Sequence, residues 1–199
     1  MFLLPSAYLA PVSYYRFLAS GQPCLIEVMD SYQKQTYRNR CVIADANGPL
    51  ALTIPVEKPL PGRQLMRDIR ISDHGRWRHL HWNALKSAYQ NSPFFEYYAD
   101  DFAPFFERKW DFLADFNEDL MHLVCQLTDL KPQTKRTTGY LAQPETGVTD
   151  LRAHFDPQQR ALQDIRPYYQ VFAQKLGFLP DLSIVDLLFN MGPESILYL

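Results

Sequence analysis

The sequence predicts an α/β fold, and three observations carry that prediction. A strand, a helix and a second strand follow one another within the first thirty residues, which is how an α/β unit begins. The dipeptide Asn47-Gly48 lies between two apolar segments, as in a tight antiparallel hairpin. From Trp77 onward, apolar residues recur at helical spacing. Together they predict one domain with a mixed central sheet, an N-terminal strand-helix-strand unit and a helical middle segment.

The N-terminal unit is bounded by proline and glycine. Residues 2–9 are apolar and predict a strand that ends in a proline-containing turn. Pro11 suits the first turn of a helix that reaches about Ala19, because proline there loses no helical hydrogen bond. Gly21 ends this helix, and residues 24–29 predict the second strand.

The hairpin and one further strand complete the predicted sheet. Residues 40–44 and 50–56 flank the hairpin turn and predict an antiparallel pair. A loop rich in Pro and Gly follows at residues 58–62. Residues 65–72 alternate in part between apolar and polar side chains, which predicts another strand.

Three helices are predicted in the middle of the chain. The first begins near Trp77 and ends at Ser92-Pro93, where the second begins. Residues 113–127 carry the clearest helical pattern, with apolar side chains three and four positions apart. Acidic side chains crowd the first half of that helix, where the helix dipole favours negative charge, so we interpret them as structural.

The C-terminal third combines a polar stretch with a punctuated helix. Residues 131–165 are rich in Thr, Gln, Gly and Pro and predict a long irregular stretch, and a short strand is predicted at residues 168–172. A final helix follows Ser183 and ends at Gly192. This helix is apolar almost all round, which predicts burial, and its polar stripe needs protein partners or a ligand. The stripe consists of Ser183, Asp186 and Asn190.

The composition favours a soluble protein of a reducing compartment. With 199 residues, 47% of them hydrophobic, the chain can form one core, so a single domain over residues 1–199 is predicted. The three cysteines are widely spaced and show no metal-ligand pairing, which argues against a disulfide framework. The first eleven residues contain neither a charged segment nor a long apolar run. The expectation is a cytoplasmic location without membrane insertion.

The net charge of −2 hides an uneven distribution. Residues 1–90 hold 11 Lys and Arg against 6 Asp and Glu, whereas residues 91–130 hold 2 against 9. The cationic first half can steer an anionic ligand, but no nucleic-acid motif accompanies it, so nucleic acid is not a predicted partner. No GxGxxG, P-loop, GxSxG, EF-hand or HExxH pattern occurs, so neither a cofactor nor a metal is predicted. The oligomeric state stays open.

Residues 32–40, YQKQTYRNR, are the strongest candidate binding element and are called the basic segment below. They hold three cations, three amides and two phenols. In an extended strand side chains alternate, so all three cations would share one face and offer donors to a phosphate or carboxylate. The alternative is an exposed polar strand with cross-strand salt bridges. One face would carry Tyr32, Lys34, Thr36, Arg38 and Arg40, and the other Gln33, Gln35, Tyr37 and Asn39.

A second candidate group lies on the first middle helix. His81 is a candidate general acid or base, because histidine titrates near neutral pH, and the alternative is a structural histidine held by a hydrogen bond. Trp82, Lys86 and Tyr89 share one helix face, where an aromatic ring can stack on a base or sugar. Glu96 is the candidate orienter of a histidine or arginine, although the aromatic residues around it are also typical of a core.

Six motifs occur in order along nearly the whole chain. They are AYLAPVSYY at 7–15, YQKQTYRNRC at 32–41, LTIPV at 52–56, HW at 81–82, SAYQNSPFFEYY at 87–98 and FLPDLSIVDLLFNMG at 178–192. Together they resemble the WbqC-like protein family in its shorter form. The resemblance implies an α/β fold in a bacterial protein and the transfer of an amino acid or related acyl group to a sugar in surface-polysaccharide synthesis.

The functional hypothesis is a cytoplasmic transferase that acts on a phosphorylated or nucleotide-linked metabolite, with a small anionic metabolite or nucleotide sugar as its partner. The alternative is a non-enzymatic protein that binds an anionic ligand or serves as a scaffold. The predicted catalytic residues are His81 and Glu96. The predicted ligand-binding residues are Tyr32, Gln33, Lys34, Arg38, Asn39, Arg40, Trp82, Lys86, Tyr89, Asp186 and Asn190.

Overall fold

The computed structural model describes residues 1–58, 62, 64–144, 146–155 and 165–199, and it confirms the α/β class. The strands are β1 (Phe2–Pro5), β2 (Cys24–Glu27), β3 (Arg40–Asp45), β4 (Gly48–Thr53), β5 (Thr134–Arg136) and β6 (Thr149–Asp150). The helices are α1 (Val12–Ala19), α2 (Trp77–Tyr89), α3 (Phe95–Glu107), α4 (Leu113–Leu127), α5 (Ala173–Leu176) and α6 (Ile184–Met191). Turns of 3-10 helix lie at Met66–Asp68, His74–Arg76 and Gly192–Tyr198.

Four strands form a parallel sheet in the order β5-β2-β1-β6. Phe2 of β1 lies opposite Cys24 of β2 on one side and opposite Thr149 of β6 on the other. The predicted strand-helix-strand unit is confirmed, since α1 connects the parallel neighbours β1 and β2. Because β2 and β6 flank β1 on opposite sides, the order of the strands reverses there. Open α/β sheets bind ligands beyond the carboxyl ends of their strands at such a position.

The predicted hairpin is formed by β3 and β4, with Asp45 opposite Gly48. It is a sheet of its own. The strands that we predicted to share one mixed sheet are thus divided between a parallel and an antiparallel sheet. The physical reason lies in the partners of β3, whose main chain bonds to the residue before α6 and to a side chain of α2. The amide of Ser183 donates to the carbonyl of Val42 (2.7 Å), and the amide of Ala44 donates to the Tyr89 hydroxyl (3.3 Å).

The basic segment is not a strand, which corrects our prediction. β3 begins only at Arg40, and the turns before it include Gln35 with a φ of +62°. The Thr36 hydroxyl donates to the carbonyl of Gln33 (3.0 Å). Polar side chains that satisfy the main chain locally favour a turn over a sheet ladder. The predicted alternation of faces is therefore absent.

The C-terminal third contains more sheet than predicted. Residues 131–165, predicted to be irregular, contribute β5 and β6, although residues 145 and 156–164 lie outside the described residues. Residues 59–61 of the predicted loop are outside them as well. The predicted strand at residues 65–72 is a 3-10 turn with isolated bridges, and residues 168–172 lead without a strand into α5.

The predicted helices are present as α2, α3, α4 and α6, and α6 is buried as expected. Ser183 precedes α6, but its hydroxyl donates to the carbonyl of Leu9 (2.7 Å) and does not cap the helix. Within the described parts of the chain, none of the helices is both long enough and apolar enough to cross a membrane.

Candidate functional site

An open cavity of about 330 Å³ lies beyond the carboxyl ends of the parallel strands and is called the strand-end cavity below. Its lining comes from the chain after β2, from the basic segment, from the chain after β5 and from the end of β6 with the residues that follow it. This is the crevice that the reversal of strand order around β1 creates. Its lining consists of Asp30, Gln33, Thr36, Arg38, Tyr140, Asp150, Arg152, Ala153 and Phe155.

Arg152 is held in the cavity wall by two carboxylates. Its side chain is 10% exposed. Its Nη2 donates to Oδ2 of Asp150 at 2.6 Å, and its Nη1 lies 3.4 Å from Oε2 of Glu27. Hydrogen bonds from Arg152 lower the pKa of Asp150, so that carboxylate is ionised at neutral pH. The guanidinium of Arg152 therefore has a fixed position at the carboxyl end of β6.

Glu27 is a fully buried carboxylate at the end of β2. Besides Arg152, it accepts hydrogen bonds from the Thr137 hydroxyl (2.8 Å) and from the amide of Met29 (2.7 Å). These donors satisfy a charge that would otherwise be costly to bury. Because Thr137 follows β5 and Arg152 follows β6, Glu27 joins the ends of strands from both sides of β1.

Arg38 is the cation that the basic segment contributes to the cavity. Its side chain is 4% exposed and lies 3.7 Å from Asp30 (Nη2 to Oδ2). Its Nη1 also donates to Gln33 Oε1 (3.3 Å) and Thr36 Oγ1 (3.4 Å). The guanidinium is thus oriented by side chains of the same cavity wall.

Asn117 of α4 fixes the main chain at Arg38. Its Nδ2 donates to the carbonyl of Arg38 at 2.8 Å and to the Ser6 hydroxyl at 3.1 Å. Ser6 directly follows β1, so this amide ties the basic segment to the carboxyl end of the central parallel strand. The position of the Arg38 main chain therefore depends on Asn117, a buried residue that does not line the cavity.

The aromatic part of the lining comes from Tyr140 and Phe155. The guanidinium carbon of Arg152 lies 5.5 Å from the centre of the Tyr140 ring, and that ring is 44% exposed. Phe155 is buried and packs edge-on against Tyr14 of α1 (5.1 Å between ring centres). Tyr140 is the lining residue whose ring is available for a ligand to contact.

The sequence model of the WbqC-like protein family matches residues 6–161. The chain belongs to the WbqC-like protein family. The matched range includes every residue that lines the strand-end cavity and ends before α6. This WbqC-like chain is also similar to "Uncharacterized protein Rv1507c" of Mycobacterium tuberculosis, at 26% identity over 224 residues, which cover 99% of the chain and 96% of the relative. No solved structure matches it.

Two predicted binding residues of the WbqC-like chain line the cavity, namely Gln33 and Arg38. Tyr32 is adjacent in sequence, and burial raises the pKa of its hydroxyl to about 12. Lys34 is exposed on a turn. The other two predicted binding residues of the basic segment make contacts with β4 and the chain after it. The Asn39 amide donates to the carbonyl of Ile54 (2.9 Å), and Arg40 Nε donates to the Thr53 hydroxyl (3.1 Å).

His81 lies in the core and not in the cavity lining. Its Nδ1 is 3.0 Å from the Tyr8 hydroxyl, and its ring packs edge-on against Trp77 (5.2 Å). Burial lowers the pKa of His81 to about 4, so the imidazole is neutral at pH 7. This geometry matches the structural alternative, and a catalytic role for His81 stays a prediction.

The other predicted residues of α2 and α3 lie apart from the cavity lining. Trp82 stacks on Phe106 (5.6 Å), and Lys86 Nζ lies 6.0 Å from the Trp82 ring. Glu96 is exposed in the first turn of α3. The ring of Trp82 is thus used in packing between helices.

The polar stripe of α6 has protein partners. Asp186 accepts hydrogen bonds from the hydroxyls of Tyr89 (2.9 Å) and Tyr168 (2.7 Å) and from Gln170 Nε2 (2.7 Å). Burial raises the pKa of Asp186, and these three donors oppose that rise. Asn190 Nδ2 donates to the carbonyl of Asp186 (2.7 Å). We interpret this buried network as structural.

The structure does not bring the predicted residues into one pocket. Some line the strand-end cavity, His81 lies in the core, and Asp186 is part of a buried network, whereas the others, such as Lys34 and Glu96, lie outside these three places. The sequence reasoning missed several residues of or behind the cavity. The one sequence signal among them is the pair of opposite charges two positions apart, Asp150 and Arg152. The missed residues include Glu27, Asp30, Asn117, Tyr140, Asp150 and Arg152.

Proposed function

We propose that this WbqC-like protein is a transferase that binds a phosphorylated or nucleotide-linked metabolite in the strand-end cavity. The observation that carries the proposal is the convergence of two guanidinium groups, from Arg38 and Arg152, on one cavity at the reversal point of a parallel sheet. Arginine is well suited to phosphate because its planar fork of donors matches two phosphate oxygens. The cavity volume also falls within the range of small-molecule sites.

The family resemblance supplies the reaction class of this proposal, the transfer of an amino acid or related acyl group to a sugar. In such a transfer the acceptor oxygen or nitrogen forms a bond to the acyl carbon, the bond from that carbon to the leaving group of the acyl donor breaks, and the acceptor loses a proton. Among the described lining residues, the carboxylates of Asp30 and Asp150 are the candidate acceptors of that proton. The predicted catalytic residues, His81 and Glu96, lie outside this cavity lining.

A thermal-shift titration tests the binding half of the proposal. The probes are sugar phosphates, nucleoside diphosphates and nucleotide sugars. A ligand at one hundred times its Kd stabilises the folded protein by about 2.7 kcal/mol, which is readily measured as a rise in Tm. We expect such a rise in the wild type and its loss in Arg38→Ala, each compared with the same variant without ligand. No rise with any phosphorylated probe would refute the proposal.

Arg40→Ala separates the structural assignment from the sequence hypothesis. Arg40 donates to Thr53 and is absent from the cavity lining. The structure therefore predicts that this variant keeps the ligand-induced rise in Tm. Loss of the rise in Arg40→Ala, together with its retention in Arg38→Ala, would show that the anion binds outside the strand-end cavity.

A non-enzymatic ligand-binding protein is the second candidate, because the predicted general acid or base, His81, is buried in the core. Both candidates predict ligand binding. They differ when the bound metabolite is incubated with acyl donors and acceptor sugars and the products are analysed by mass spectrometry. A product whose formation depends on Asp30 or Asp150 supports the transferase, whereas binding without turnover supports the second candidate.

A further inference from the structure

The charges in the wall of the strand-end cavity are balanced. Among the described lining residues, Arg38 and Arg152 are the cations, and Asp30 and Asp150 are the anions. Glu27 adds a further carboxylate directly behind Arg152. The wall is therefore not a positive surface, in contrast to the cationic face that the basic segment suggested.

Both aspartates are accessible to a ligand. The side chain of Asp150 is 34% exposed and that of Asp30 is 17% exposed, and both line the same open cavity as the two arginines. A phosphate carries a charge of about −1.5 to −2 near pH 7. Placed against the guanidinium groups, it would meet these carboxylates as like charges, which weakens its binding.

A positive group on the same ligand removes this repulsion. An ammonium group presents three donors, and the carboxylate oxygens of Asp30 and Asp150 accept such bonds. Hydrogen bonds between an ammonium and a carboxylate are among the strong ones, and they are favoured further in a partly enclosed site. The mixed lining would thus discriminate between a ligand with both charges and a simple anion.

We infer that the metabolite bound in the strand-end cavity carries a primary amino group beside its phosphate, as an amino sugar phosphate or a nucleotide-linked amino sugar does. This inference rests on the proposed function and narrows its substrate class. Arg38 and Arg152 contact the phosphate, and Asp30 and Asp150 contact the ammonium. After one of these carboxylates has taken a proton from the ammonium, the amine nitrogen has the lone pair that attacks the acyl carbon of the donor, whose leaving group departs.

Matched ligand pairs test the inference by isothermal titration calorimetry at pH 7. Glucosamine 6-phosphate is compared with glucose 6-phosphate, and UDP-glucosamine with UDP-glucose, because each pair differs only in an ammonium against a hydroxyl. N-Acetylglucosamine 6-phosphate keeps the nitrogen without its charge, and glucosamine lacks the phosphate. We expect at least one amino phosphate to bind ten-fold or more tightly than its hydroxyl and acetylated counterparts and than glucosamine.

Two variants and a control locate the effect. Asp30→Asn and Asp150→Asn should each reduce the preference for the amino ligand to less than three-fold, whereas Asp101→Asn, which changes an exposed residue of α3, should preserve it. Equal binding of amino and hydroxyl ligands in the wild type would overturn the inference and leave the proposed function intact. Binding of none of the phosphorylated probes would overturn the proposed function and the inference with it.

Discussion

The buried carboxylate of Glu27 lies 3.4 Å from the guanidinium of Arg152, although 125 positions separate the two residues in the chain. Glu27 ends β2 and Arg152 follows β6, so their contact passes the carboxyl end of β1. A side-chain charge pair thus connects the two neighbours of the central strand. The same contact positions one of the two arginines of the strand-end cavity.

Replacing Glu27 with alanine should destabilise the protein strongly. The change leaves the Arg152 charge without its buried partner and removes the acceptor of the Thr137 hydroxyl and the Met29 amide. Arg152 keeps its bonds to Asp150, so the loss comes mainly from the unsatisfied hydroxyl and amide, at about 1–3 kcal/mol each. Urea unfolding would measure this loss. Glu57→Ala is the matched control, because that carboxylate is 56% exposed and 3.8 Å from Arg70, and its removal should cost less than about 1 kcal/mol. Equal losses in the two variants would contradict the argument.

Asn117→Ala should loosen the basic segment from β1. The carbonyl of Arg38 and the hydroxyl of Ser6 lose their amide donor in a buried position. An unsatisfied buried group costs about 1–3 kcal/mol, so the free energy of unfolding should fall by that amount. Asn91→Ala, at an exposed position, should change it by less than about 0.5 kcal/mol.

A second measurement on Asn117→Ala distinguishes a role in positioning Arg38 from a general contribution to stability. If Asn117 positions Arg38, amide hydrogen exchange should increase in residues 34–39 more than in α1, which Asn117 does not contact by these bonds. A uniform increase over the chain would indicate a general loss of stability and contradict the positioning role.

Local signals were sufficient for the helices and the hairpin but not for the edges of the sheet. The hairpin at Asn47-Gly48 and the end of α6 at Gly192 depend on turn-forming residues within a few positions, and these predictions are confirmed, whereas the hydroxyl of Ser183 does not cap α6. β5 has three residues and β6 has two. Strands this short carry too little periodicity to be recognised, because their pairing with β2 and β1 alone defines them.

The residues of the candidate site, likewise, could be predicted only in part from the sequence. Arg38 and Gln33 could be found because charged and amide side chains cluster in the basic segment. Arg152 could not, because it meets the cavity only through the placement of β6. A histidine such as His81 has the same helical spacing whether its face meets a cavity or the core, so the pattern could not distinguish the two. That distinction is made by the tertiary contact with Tyr8.

The stability of the protein should depend on pH through His81. Its pKa is lowered to about 4 in the folded state by burial, against an ordinary value of 6.5. As pH falls from about 6.5 to 4, His81 binds a proton in the unfolded chain but not in the folded protein. The contribution of neutral His81 to the free energy of unfolding is therefore lost over that range, and this contribution changes no further below it. The shift corresponds to about 3 kcal/mol.

His81→Gln isolates this contribution, since glutamine can still bond to Tyr8 but does not titrate. The difference in free energy of unfolding between wild type and His81→Gln should shrink by about 3 kcal/mol as pH falls from 7 to 4. A difference that stays constant with pH would contradict a neutral, buried His81.

Gly192 should not tolerate a side chain. It ends α6 with a φ of +56°, and a Cβ atom there would collide with Cδ1 of Phe94. The left-handed φ costs an L-residue about 1–2 kcal/mol, and the collision adds a cost of overpacking of about 1–3 kcal/mol. We therefore expect Gly192→Ala to lower the free energy of unfolding by about 3 kcal/mol in urea titrations.

Gly21→Ala measures the cost of the left-handed backbone alone, because Gly21 has a φ of +75° with open space around it. In a Phe94→Ala background the collision disappears, so Gly192→Ala should then cost no more than Gly21→Ala. An unchanged cost in that background would show that the ring of Phe94 is not what excludes a side chain at the end of α6.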